Sequence, residues 1–234
     1  SIRRQRQMCI RDSCYDAPCS RACPAGIDVS AFIRKITTGN LKGSAQVILG
    51  ANFLGATCAR VCPVDELCQG ACVLRTDSRK AIRIGQLQRY VTDYVMDRSI
   101  QLFQPGPPTG KKVACVGSGP ASLSCAAELV KMGHAVTVFE RRELAGGLDT
   151  YGLAILREPL AISLKEAEMA RALGVEIRTS VEVGKDMQIA DLLKKYDAVF
   201  LGIGLGPGVK LGIPGEDLPG VYDGLDWLAS VRMK

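Results

Sequence analysis

Aromatic residues make up only 5% of this 234-residue chain, with one Trp, six Tyr and five Phe, and histidine occurs once. With only His134, which follows the helix-ending Gly133 as a surface turn residue, no Ser/His/Asp or Cys/His catalytic arrangement can be assembled. No apolar stretch approaches the roughly eighteen residues that a membrane-crossing helix needs, and the first residues carry no apolar h-region. Long basic runs interleaved with aromatics are missing too. The net charge of +6 is mild, and much of it sits at Arg3, Arg4 and Arg6. Neither nucleic acid nor membrane is therefore expected as a partner. The expected setting is the reducing cytoplasm, where disulfide scaffolds are rare and clustered cysteines more often bind metal.

What the sequence has instead is cysteine, glycine and two halves of different character. In the first half Asp28 is placed to N-cap a helix carrying Val29, Phe32, Ile33 and Ile36 on one face, ended by Thr38-Gly39-Asn40. A second short helix is expected over Leu41 to Leu49, with loop over Gly50 to Thr57. A third is expected from Ala81 to Asp97, where Ile84, Gln88, Val91 and Val95 recur at helical spacing. Residues 1–27 read as loop and short turns. The domain reading is an all-helical domain over 1–102, a Pro/Gly linker over 103–112, and an α/β domain over 113–234. In that α/β domain, strands at Lys112–Gly117, Ala135–Phe139, Val175–Arg178 and Ala198–Leu201 alternate with helices at Pro120–Met132, Pro159–Leu173 and Ile189–Lys195. Such alternation argues for a mostly parallel sheet. A Gly/Pro-rich excursion from Gly202 to Gly220 precedes a last helix over Leu225 to Met233.

Gly117-Ser-Gly119-Pro120-Ala121-Ser122 sits between an expected strand and an expected helix, and Glu140 ends the next strand. In that context the pattern is a dinucleotide fingerprint. The first glycine permits a tight turn, and the second lets backbone approach a pyrophosphate. The helix N-terminus then offers N–H groups and partial positive charge to the anion. Glu140 is placed to accept hydrogen bonds from an adenosine ribose. Both NAD and FAD use this arrangement, and the residues after Glu140 favour FAD. A second glycine turn, Gly146-Gly147-Leu148, comes directly after the ribose acid and lets the chain lie along an extended flavin.

Eight of the ten cysteines lie between Cys9 and Cys72, as C-x4-C-x4-C-x3-C-P and C-x3-C-P-x4-C-x3-C. Zinc sites favour C-x2–4-C pairs set about a dozen or more residues apart. The C-x3-C-P ending instead resembles the ferredoxin run, whose last cysteine serves a second cluster. Thiolates suit either zinc or iron–sulfur clusters, and a flavin next door makes redox clusters the more coherent choice. Gln88 puts an amide on an otherwise apolar helical face, as a hydrogen-bonded core residue or as a ligand. Cys115 and Cys125 read as core residues.

These motifs resemble the small-subunit family of NAD(P)H-dependent glutamate synthase, in particular the N-terminal part of dihydropyrimidine dehydrogenase and its bacterial NAD-dependent subunit. The resemblance rests on Cys14-Tyr-Asp-Ala-Pro-Cys19-x3-Cys23-Pro, Leu54-Gly-Ala-Thr-Cys58-Ala-Arg-Val-Cys62-Pro, Leu67-Cys68-x3-Cys72, Ile84-Gly-Gln-Leu-Gln88 and the fingerprint. It implies two 4Fe–4S clusters, one held by Cys9, Cys14, Cys19 and Cys72, the other by Cys23, Cys62, Cys68 and Gln88, with Cys58 a non-ligand. For FAD it implies Gly117, Gly119, Pro120, Ala121, Ser122, Glu140, Gly147, Leu148 and Arg157, with the backbone at Val183 near the adenine. The family opens with C-x2-C where Cys9 and Cys14 are separated by four residues, and its arginine-proline segment is Leu156-Arg157-Glu158-Pro159 here.

The implied function is electron transfer between NAD(P)H-linked FAD and two clusters, onward to a partner catalytic subunit or domain of dihydropyrimidine dehydrogenase or glutamate synthase type. Family members continue into an inserted NAD(P)H domain and then complete the FAD domain. The chain stops at Lys234 before that point, so it is expected to be a fragment or to be completed by another chain. Two other functions fit parts of the sequence: a non-catalytic electron-transfer or assembly module without flavin, and a zinc-stabilised interaction domain.

Overall fold

The computed structural model describes residues 14, 16–75, 80–206 and 208–234. The chain divides into two compact units, Ser1–Leu102 and Phe103–Lys234.

Among the described residues, the elements of the first unit are helices: α1 (Pro18–Arg21), α2 (Val29–Thr37), α3 (Leu41–Ala51), α4 (Gly55–Val61), a 3-10 turn (Val73–Arg75) and α5 (Ile84–Asp97). The Asp28 carboxylate caps α2 by accepting from the Ala31 N–H at 2.9 Å, satisfying one of the donors that a helix start leaves open. Phe32 and Ile36 on its inner face are fully buried. Packing runs α2 on α3, α3 on α5 and α4 on α5. Ser44 is buried inside that packing because its hydroxyl donates to the Phe32 carbonyl at 2.8 Å.

The loop expected over Gly50 to Thr57 is largely helix: α3 runs to Ala51 and α4 starts at Gly55. The cause is tertiary. A Cβ on Gly55 would come within 2.8 Å of the Ile48 side chain and 2.9 Å of Leu49. Glycine, a poor helix former, is therefore what lets α4 pack down on α3.

The second unit is a four-stranded sheet in the order β3-β2-β1-β4. Its strands are β1 (Lys112–Val116), β2 (Ala135–Phe139), β3 (Glu176–Arg178) and β4 (Ala198–Leu201), and every pairing is parallel. Helix α6 (Pro120–Lys131) joins β1 to β2, while α7 (Leu148–Tyr151) and α8 (Leu160–Leu173) lie between β2 and β3. Helix α9 (Ile189–Lys195) then takes the chain past β2 and β1 to β4, and α10 (Gly224–Arg232) follows β4. Cys115 on β1 pairs with Val138 on one side and Phe200 on the other. Four successive residues of both β1 and β2 are buried, which explains why these strands read as continuous apolar runs and not as alternation. Strand order reverses between β1 and β4, and in open parallel sheets that is where a crevice for ligands opens at the carboxyl ends. Among the described residues, no helix is long and apolar enough to cross a membrane.

Candidate functional site

The first unit brings its cysteines together from three places. Cys14 precedes α1 and Cys19 sits on it; Cys23 follows it in a turn closed by the Gly26 N–H to the Cys23 carbonyl at 3.0 Å. Cys62 caps the C-terminus of α4. Cys68 and Cys72 lie in a tightly wound loop, where the N–H groups of Gln69 and Gly70 both donate to the Val64 carbonyl. Gly70 is obligatory in that winding, since a Cβ would come within 2.2 Å of the Asp65 carbonyl oxygen.

These thiols sort into two groups. Cys14, Cys19 and Cys72 line one cavity of about 560 Å³, walled otherwise mainly by apolar residues such as Ala17, Val29, Ile33 and Ile84. The Cys19 thiol is pushed up by burial and then by the neighbouring Cys72 and Cys14. In the second group, burial raises Cys62, with Cys23 adding to it. Cys68 is pushed up to about 12 by burial, then by Cys62 and Cys23, and it also feels Cys19 of the first group. The two groups are therefore neighbours. Burial likewise pushes Cys58 up to about 11, while a hydrogen bond from Gln88 opposes the rise. Gln88 is itself buried, and its amide nitrogen donates to the Gly55 carbonyl at 2.8 Å. Anchored through nitrogen, an amide offers only its oxygen to a metal. Cys9 lies outside the described residues.

The chemistry of this donor set fits a cluster. Soft thiolates drawn into two neighbouring groups are the donors that an iron–sulfur cluster takes. Each thiol must also give up its proton to become a ligand.

In the second unit the glycines form a cradle at the carboxyl ends of β1 and β4. Gly117 has φ of +88°, and a Cβ there would come within 2.5 Å of the Gly202 carbonyl oxygen. Gly119 caps the N-terminus of α6, and a Cβ on it would meet nothing within 4 Å. Gly147 has φ of +57°, and its Cβ would stand 2.6 Å from the Gly119 Cα. Pro120 opens α6 and is exposed together with Ala121. The Ser122 hydroxyl is fully buried and has no hydrogen-bond partner among the described residues. An open helix N-terminus, with a glycine there that leaves its approach clear, fits a phosphate-bearing cofactor.

Glu140, expected at a ribose, has a second role in the structure. Its Oε2 accepts from the Ser118 N–H at 2.9 Å and the Ser118 hydroxyl at 2.6 Å, and its Oε1 accepts from the Arg142 N–H at 2.9 Å. Three of about four lone-pair positions are thus occupied, two in holding the glycine loop and one on the backbone after β2. Val183 stands in an isolated bridge with Met187, packed against the cluster that includes Val116 and Phe139. Leu148 opens α7 and is 53% exposed. Arg157 is exposed on the loop between α7 and α8. Ser118 was not among the expected residues, and a serine between two glycines carries no signal that it will organise the acid.

Behind the cradle, Asp149 is pushed up to about 6 by burial, with Arg232 pulling the other way. A carboxyl raised in the folded state binds its proton more readily folded than unfolded, so its contribution to stability is full at low pH and lost as pH rises through about 6. Asp149→Asn is expected to gain stability relative to wild type between about pH 4 and about pH 7.5. Urea midpoints at the two pH values check this, and a pH-independent difference would contradict it.

Comparison with known proteins agrees with this geometry. Residues 1–100 match the family model described as dihydropyrimidine dehydrogenase domain II, 4Fe–4S cluster, and residues 115–151 match an NAD(P)-binding Rossmann-like domain. The NAD-dependent dihydropyrimidine dehydrogenase subunit PreT of Salmonella typhimurium is 41% identical over 198 residues, covering 85% of this chain and 48% of that protein. The glutamate synthase [NADPH] small chain of Escherichia coli K12 is 36% identical over 225 residues, covering 96% and 47%. The chain thus spans about half the length of these relatives. Among solved structures, Mycobacterium tuberculosis FprA in complex with NADPH matches 53% of this chain and 28% of its own, at 31% identity and a TM-score of 0.47. The chain's homologues thus include NAD-dependent dihydropyrimidine dehydrogenase subunits and glutamate synthase small chains, and its first hundred residues are similar to the 4Fe–4S domain of dihydropyrimidine dehydrogenase.

Proposed function

We propose that the chain is the flavin- and iron–sulfur-binding part of an NAD(P)H-linked oxidoreductase subunit that passes electrons to a catalytic partner subunit or domain. The observation that carries the reading is the sorting of the described thiols into two adjacent groups. In this reading 1–102 is a helical domain for two 4Fe–4S clusters, 103–112 a linker and 113–234 the FAD-binding domain. One cluster is held by Cys14, Cys19, Cys72 and Cys9, the other by Cys23, Cys62, Cys68 and the Gln88 oxygen.

When bound, these groups supply the electron transfer, the flavin exchanging one electron or two. The chain's own residues hold and tune. The apolar wall of Val29, Ile33 and Ile84 keeps water from the first thiol group, and Cys58 supplies a hydrogen bond to the Cys62 sulfur in the second. Hydrogen bonds to ligand sulfur and exclusion of solvent both set cluster potentials. Gly117, Gly119, Pro120, Ala121 and Ser122 receive the pyrophosphate on α6, and Glu140 keeps one acceptor position for the ribose. Gly147, Leu148, Arg157 and the backbone at Val183 complete the flavin's bed.

A second reading is favoured by one finding: the family model over 115–151 is described as NAD(P)-binding. In that case the cradle takes the pyridine nucleotide itself. Heat-denatured, anaerobically purified chain is expected to release yellow, fluorescent flavin close to one per chain. Absence of flavin, with NADH or NADPH quenching the fluorescence of the native chain, would favour the second reading.

A further inference from the structure

Helix α7 has four residues, too few to be stable alone, yet it positions the glycine turn at its start. Gly147 lies against Gly119 at that end. At its other end, the carbonyls that a helix C-terminus leaves without partners are taken by a residue about eighty positions downstream. The Arg232 side chain from α10 is buried, at 5% exposure for the residue. Its Nε donates to the Thr150 carbonyl at 2.7 Å and its Nη2 to the Asp149 carbonyl at 3.1 Å. Its Nη1 donates to the Glu158 carbonyl at 2.9 Å and to the Leu153 carbonyl. One guanidinium therefore ties together both ends of the loop from α7 to α8. A cation at a helix C-terminus is also favourable towards the helix dipole. The nearby Glu158 and Asp149 carboxylates offset part of the cost of burying the charge.

We propose that Arg232 is a positioning residue for the cofactor cradle: its guanidinium clamps α7 and the loop to Glu158 in the path that holds Gly147 against Gly119. Only arginine has the planar fork of donors that four carbonyls in different directions require. The clamp acts through the backbone of Asp149, Thr150, Leu153 and Glu158. Exposed Ile155, Leu156 and Arg157 are carried on the same loop. As a positioning device for FAD it rests on the function proposed above; as a clamp it does not.

The test compares the full chain with Arg232→Met and Arg232→Lys by hydrogen exchange and by FAD titration, followed through flavin fluorescence. Arg232→Met is expected to speed exchange of amides in 149–158 about tenfold or more, the scale for losing charge-assisted hydrogen bonds. Peptides covering β1 and β2 should be unchanged, and FAD should bind about tenfold more weakly. If methionine loosens the sheet as well, Arg232→Lys carries the comparison, because it keeps the charge and stem and removes only the fork. Unchanged exchange over 149–158 in both variants would overturn the clamp. Faster exchange there with FAD affinity unaltered would overturn the positioning role. A wild-type chain that takes up no FAD would count against the flavin reading, leaving the exchange data to judge the clamp.

Discussion

A Gly117→Val chain is expected to lose its flavin while keeping the visible absorption of its clusters. The residue stands at φ of +88°, where a β-branched side chain is strained by about 1–3 kcal/mol. Strain is the smaller part. The new Cβ would be forced to within 2.5 Å of the Gly202 carbonyl oxygen and 3.4 Å of the Ile203 Cα, so backbone meets backbone. Relief requires the end of β1 to part from the end of β4, which carries the N-terminus of α6 away from the pyrophosphate position. FAD affinity is expected to fall by about 100-fold or more, since about 2.7 kcal/mol suffices for that and strain with clash exceeds it. Flavin and iron per chain, measured on the same preparation, separate the outcomes. Flavin retained at wild-type level would show that the glycine cradle is not its site.

Cys62→Ser is expected to take the iron from about eight to about four per chain, with visible absorption falling by about half. Cys62 ends α4, where its sulfur accepts a hydrogen bond from Cys58 and stands beside Cys23. Serine cannot supply the soft thiolate that a cluster requires. Because a cluster's binding free energy is also folding free energy, the midpoint of thermal unfolding of the helical unit should fall as well. Cys58→Ala is the control that gives the comparison meaning. Cys58 belongs to the same thiol group and is hydrogen-bonded to Gln88, yet is not assigned as a ligand. Its removal should leave the iron count intact and shift a cluster potential. Equal iron loss in both variants would make Cys58 a ligand in place of Gln88.

Much of the fold was legible because local chemistry and tertiary packing agreed. Asp28 caps α2, α8 ends at Leu173, and β2 runs from Ala135 to Phe139 as its apolar run indicates. What stayed hidden depends on contacts remote in sequence. Helix α4 opens on a glycine because Ile48 and Leu49 leave room for nothing larger. The turn of α7 depends on Arg232, whose position near the end of an otherwise exposed helix announces nothing. At the site, spacing and proline marked the cysteines as a metal-binding set, and the resemblance divided them into two groups; spacing alone could not, because Cys72 meets Cys19 only through the fold. Gln88 was noticeable as an amide on an apolar face, and its tie to Gly55 lies thirty-three residues away. Glu140 was legible as the acid that follows β2. That it would also anchor Ser118 was not, since the fingerprint specifies glycines and leaves the residue between them open.

In the proposed function the helical unit holds two 4Fe–4S clusters. Iron and acid-labile sulfide on the anaerobically purified chain test it most directly. A brown protein with about eight of each per chain is the expected result. About four of each would mean a single cluster, and zinc without sulfide would replace the redox role with a structural one.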